Sequence, residues 1–179
     1  MYRLAFILAV TIGLIACANN DKKISSWEVN DVYQSTLMTP NASTGDKTYV
    51  GPPINTEDSA NTFEMYHLKG EKSKQGAKSY ELIVQLTYFG QMRNYDSASL
   101  NGSPAMTFKV VSREAGICEA RGCIFRELLS IQLNETLLKD NINNGFKIGI
   151  SSKAGMRSDL YVPPQYLKGY LKAVDGTIY

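Results

Sequence analysis

The chain has 179 residues, with 19 lysines and arginines against 17 acidic residues, a single histidine and a formal net charge of +2. This length supports one domain with a sizeable core. The cations are spread out without a dense basic run, which argues against a nucleic-acid binder. Without His67, the one histidine, no Ser/His/Asp triad can be assembled, and no sequence marks a nucleophile elbow.

In chain order, the first element is Met1-Tyr2-Arg3 followed by an apolar run over residues 4–15 and then Leu14-Ile15-Ala16-Cys17. The run has the length of a signal-peptide core, is too short to span a bilayer and lacks the period of an amphipathic helix. Leu14-Ile15-Ala16-Cys17 resembles the lipobox of bacterial lipoproteins. The resemblance implies removal of residues 1–16 and attachment of lipid to Cys17. It also implies anchorage to the outer membrane, facing the periplasm, because Ala18 and Asn19 follow the cysteine and no aspartate does. Residues 17–26 are then a polar tether, and residues 27–179 a single domain.

Trp27-Glu28-Val29-Asn30 alternates and predicts a first short strand. Residues 39–62, rich in Thr, Pro, Asn, Ser and Gly, predict a long surface connection with one edge strand at 48–50, since Pro52 and Pro53 exclude a central strand. Residues 63–68 predict a strand, and residues 69–78 a solvated hairpin loop. Residues 79–88 are the clearest strand, with Leu82, Val84, Leu86 and Tyr88 on one face at period two. Asn101-Gly102 and Asn144-Gly145 signal turns. Met106, Phe108 and Val110 alternate in a further strand, as do Phe125, Leu129 and Ile131, and residues 146–151.

Residues 160–162 predict a last strand, stopped by Pro163-Pro164. The stripe Tyr166, Leu167, Tyr170, Leu171 and Val174 predicts a C-terminal helix ending near Asp175-Gly176. A short helix is expected over residues 135–139. Short strands separated by turn signals predict a mainly β domain, a single antiparallel sandwich with a C-terminal helix.

Three cysteines are an odd number for an exported protein. With Cys17 lipidated, Cys118 and Cys123 remain as a pair whose disulfide suits an oxidising periplasm. A zinc site there would need further ligands, and only His67 offers an imidazole. Glu127 shares a face with Phe125, Leu129 and Ile131, so it must find a partner, with Arg113 or Arg126 in reach. Gly149 and Gly155 make no phosphate loop, and Asp140, Asp159 and Asp175 lack calcium-loop spacing, so neither cofactor nor metal is expected.

Residues 80–172, with Tyr88 to Arg93, Tyr95 to Ala98, Ser112-Arg113-Glu114, the cysteine pair and Glu127, resemble uncharacterised bacterial envelope lipoproteins. That resemblance brings no activity with it. The expectation is a non-enzymatic, lipid-anchored binding or scaffold module with an envelope protein partner. Its candidate contact surfaces are loop 39–62 and the stretch with Tyr88, Phe89, Met92 and Tyr95. The alternatives are a small envelope hydrolase acting through Glu127 and a second acid, or an inhibitor of an exported enzyme that uses the loop around Cys118 and Cys123.

Overall fold

Alternation dictates most of this architecture, because a strand that hides every second side chain needs a second layer over that face. The computed structural model describes residues 26–57, 62–100, 103–104, 106–120 and 122–177. In order these form α1 Val29–Ser35, β1 Leu37–Pro40, β2 Lys47–Val50, β3 Ile54–Glu57, β4 Phe63–Lys72, β5 Lys78–Gly90, β6 Tyr95–Leu100 and β7 Ser103–Pro104. Then follow β8 Phe108–Glu119, β9 Gly122–Leu133, α2 Glu135–Asp140, β10 Phe146–Ser152, β11 Arg157–Val162 and α3 Pro164–Asp175.

Every pairing given for these strands is antiparallel. A seven-stranded sheet runs β1-β2-β4-β5-β9-β8, with β3 joining β4 beyond β2, and a four-stranded sheet runs β11-β10-β6-β7. The domain is thus a mainly β, sandwich-like unit closed by a C-terminal helix, as the alternating pattern predicts.

The spine of the large sheet is β5, hydrogen-bonded to β4 on one side and β9 on the other. Its inward residues Tyr80, Leu82, Val84, Leu86 and Tyr88 are buried, while Glu81, Ile83, Gln85 and Thr87 on the other face are half-buried. The expected hairpin loop shrinks to residues 73–77, because β4 and β5 stay paired out to Lys72 and Lys78.

Helix α3 covers one end of the inner face. Its predicted stripe is fully inside, and Leu167 and Leu171 each contribute roughly 2 kcal/mol by burial. Pro164 opens it, and Gly176 ends it at φ 74°, donating its N–H to the Lys172 carbonyl at 2.9 Å. Helix α2 starts at the predicted place, where the Asn134 side chain accepts a hydrogen bond from the Leu137 N–H at 2.6 Å.

Two expectations are corrected. Residues 27–30 do not form a strand; Val29 begins α1, which lies on α3 and buries Val32. Four alternating residues cannot be told from one helical turn, and the contact with α3 decides. A side chain at Gly169 would come within 2.5 Å of the Val29 carbonyl oxygen and 2.6 Å of Val32 Cβ, so glycine is what lets the two helices touch.

Residues 39–62 are not a long connection either. They finish β1 and supply β2 and β3, with Tyr49, Ile54 and Thr56 buried. Pro52 and Pro53 interrupt an edge instead of abolishing it. From Val50↔Lys69 to Ile54↔Tyr66 the edge carries one residue more than β4, a bulge that absorbs the missing N–H groups.

Candidate functional site

Glu127 lies on the inner face of β9, where period two places it, and is fully buried. Its carboxylate is surrounded by donors. Arg113 Nε donates at 2.8 Å, the Tyr88 hydroxyl at 2.5 Å and the Tyr95 backbone N–H at 3.1 Å. Arg113 is its register partner on β8 and also donates Nη2 to the Tyr95 carbonyl at 2.6 Å. Arg126, the other cation considered, turns outward to Glu114 at 3.6 Å. Burial and the hydrogen bond to Glu127 raise the Tyr88 phenol well above its ordinary pKa, so it stays a donor.

Tyr95 begins the small sheet, so Glu127 and Arg113 clamp the two sheets together. Arg93 completes the cluster. Its guanidinium lies 4.2 Å from the Tyr88 ring centroid and donates to Thr62 at 2.6 Å and to the Tyr95 hydroxyl at 3.3 Å.

A second carboxylate shares this face. Glu64 on β4 aligns with Leu86, which aligns with Glu127, so the two acids flank Leu86 about 10 Å apart, two strand spacings. Glu64 is also fully buried and accepts hydrogen bonds from Thr56 on β3 and Ser158 on β11. It is a second inter-sheet clamp. The hydrolase alternative asked for this second acid, yet both carboxylates sit out of solvent and hold donors from the opposite layer.

Period two could have revealed Glu64 as it revealed Glu127, because Glu64, Tyr66 and Leu68 alternate in the sequence. The stacking of Arg93 on Tyr88 left no such signal.

Above the cluster, the open face of the large sheet ends in exposed apolar residues. Phe89 and Ile124 are register partners, 49% and 43% exposed. Phe63, on the same face, is the diagonal neighbour of Phe89 through its pairing with Thr87. At the β8–β9 tip, Ile117 is 74% exposed, where Gly116 and Ile117 together oppose Ile124 in a bulge. Cys118 and Cys123 face each other across this hairpin and are joined by a disulfide.

Of the four predicted contact residues, Phe89 is exposed and Met92 half-buried. Tyr88 and Tyr95 are 2% and 0% exposed. These two belong to the interior because their hydroxyl and amide serve Glu127 and Arg93. Cys17 lies outside the described residues.

The remaining titratable groups are structural in setting. Burial lowers the His67 pKa, with help from Lys69; His67 sits half-buried on the open sheet face beside Ile83. Burial opposes the Lys78 charge, but bonds to Asp175 at 2.5 Å and Glu135 at 3.1 Å prevail and raise its pKa, tying β5 to α3 and α2. Among the described residues, no group of three His, Cys, Asp or Glu side chains assembles that could hold a metal ion. No family model, curated protein or solved structure matches the chain.

Proposed function

We propose that the protein is a non-enzymatic binding module of the bacterial envelope, anchored by lipid on Cys17 to the outer membrane and facing the periplasm. It meets a protein partner with the disulfide-closed end of its large sheet. The observation that carries this reading is the row Phe63, Phe89, Ile124 and Ile117, exposed beside the Cys118–Cys123 bridge. Apolar side chains gathered on a rigid surface are suited to a partner. A cross-strand bridge holds them in place before binding and so lowers the ordering cost of association. Support also comes from Glu127, whose oxygens are already engaged. Lipid anchoring would confine the module to one surface and raise its effective concentration there.

A photo-crosslinking amino acid at Ile117, used in intact cells, tests this. One stoichiometric envelope protein, lost in Phe89→Asp, is the expected product. No adduct above background would refute the module. Cys17→Ala should release the protein from membranes, and unchanged fractionation would refute the anchor. The exposed, bridged hairpin also favours a second reading, an inhibitor of an exported enzyme. In that case the captured partner is an enzyme that the purified protein inactivates.

A further inference from the structure

At the other edge of the large sheet the edge strand leaves apolar side chains open on both of its sides, Leu37 toward one face of the sheet and Met38 toward the other. Tyr33, Leu37 and Met38 are 42%, 68% and 49% exposed, and all four residues of β1 are open to solvent. This apolar edge exists because α1 spends its buried residue, Val32, on α3 and turns the next one, Tyr33, outward. The chain then runs straight into the edge strand. Cations sit at its rim. Lys172 Nζ lies 4.4 Å from the Tyr33 ring centroid, and Lys47 is the register partner of Pro40 at the end of β1.

This is also where the described chain begins, at Ser26, seven residues before Tyr33 and eleven before Leu37. The nine steps of chain from Cys17 to Ser26 reach at most about 30 Å when fully extended. This stretch includes Lys22 and Lys23.

We infer that this edge, formed by α1 and β1, rests on the bilayer that holds the Cys17 lipid. Tyr33, Leu37 and Met38 enter the headgroup boundary, and Lys172 and Lys47 meet anionic headgroups. The inference rests on the lipid-anchor reading and deepens it. An aromatic and two flexible apolar side chains rimmed by lysines match an interfacial contact, and lysines near an anionic surface add attraction. The tether joins the domain at this edge, so the lipid would hold this edge within about 30 Å of the membrane. The contact would fix the orientation of the domain, with the disulfide hairpin at the opposite edge of the sheet.

The test uses the full-length lipidated protein in vesicles of phosphatidylethanolamine and phosphatidylglycerol. An environment-sensitive fluorophore is placed on Met38→Cys and, as the comparison, on Lys153→Cys, an exposed turn position. Lipids with a nitroxide on the headgroup should quench the Met38 label at least about threefold more than the Lys153 label. Leu37→Asp with Tyr33→Asp should abolish that difference while the protein still floats with the vesicles.

Equal quenching at both positions would overturn the inference. So would protection of the Met38 label in a dimer, which would make a second copy the occupant. The mass of the purified protein reports separately on the anchor. Without acyl groups on Cys17 the lipoprotein reading fails, and the bilayer contact fails with it. With them, equal quenching removes the contact alone.

Discussion

The interior has two halves that are held together differently. Under α3, the inner face of the large sheet is aliphatic and aromatic, and its polar atoms are tyrosine hydroxyls spent on the backbone: Tyr166 on the Pro52 carbonyl at 2.7 Å and Tyr170 on the Tyr49 carbonyl at 3.3 Å. Beyond α3, where the small sheet is the cover, two buried carboxylates reach across the layers. A helix satisfies its own backbone, so it can lie on apolar residues alone. The first residue of an edge-to-edge crossing such as Tyr95 has an N–H and a carbonyl that need partners from the other sheet, and Glu127 and Arg113 supply both.

Removing the clamp should have the largest effect. Glu127→Ala leaves Arg113, the Tyr88 hydroxyl and the Tyr95 N–H without their acceptor. Arg113 is 30% exposed and Glu127 fully buried, so the loss is about 4 kcal/mol, within the range for breaking a buried pair. Urea unfolding measures it. Pairing Glu127→Gln with Arg113→Met should recover part of the loss, because neither charge is then left alone. If Glu127→Ala costs less than 1 kcal/mol, the two halves do not differ as argued.

The helix-covered half should respond to volume. Leu82→Ala, at a fully buried position, should cost about 3 kcal/mol with no change in pH dependence. Tyr166→Phe keeps the shape and removes only the bond to Pro52 and the acceptor of the Leu68 N–H at 3.3 Å, for about 1 kcal/mol. A cost above 3 kcal/mol for Tyr166→Phe would mean that this half is also held by its polar groups.

Much of this was legible in the sequence where a period ran long enough. The inward stripe of β5, the face shared by Phe125, Glu127, Leu129 and Ile131 and the stripe of α3 all follow from spacing, while the cysteine pairing follows from the odd cysteine count once Cys17 is expected to carry lipid. Three features did not. A four-residue alternation at Trp27 could not compete with the contact that Val32 makes with Gly169, 137 residues further on. Prolines 52 and 53 read as a loop because a bulge that tolerates them depends on the partner strand, and β4 lies downstream. Tyr95 read as a contact surface because an aromatic residue just past a turn carries no mark of facing in or out, and its burial follows from Glu127 and Arg113 on other strands. Tyr88 did carry such a mark, since it shares the period-two face of Leu82, Val84 and Leu86.

The smallest difference concerns the open face of the large sheet, which neither helix nor small sheet covers. There the polar probe is His67, whose folded pKa is lowered mainly by burial, with Lys69 adding to it. A group with a folded pKa below its unfolded value binds fewer protons when folded. Its contribution to stability is therefore complete above about pH 6.5 and shrinks as pH falls toward the folded pKa. Comparing unfolding midpoints of the wild type and His67→Gln between about pH 7 and about pH 5 isolates this group, because every other titratable residue is common to both. His67→Gln should flatten the wild-type slope over that window by a fraction of a kcal/mol. An unchanged slope would mean that His67 is solvated like a free side chain, and that the open face is wetter than its half-buried residues suggest.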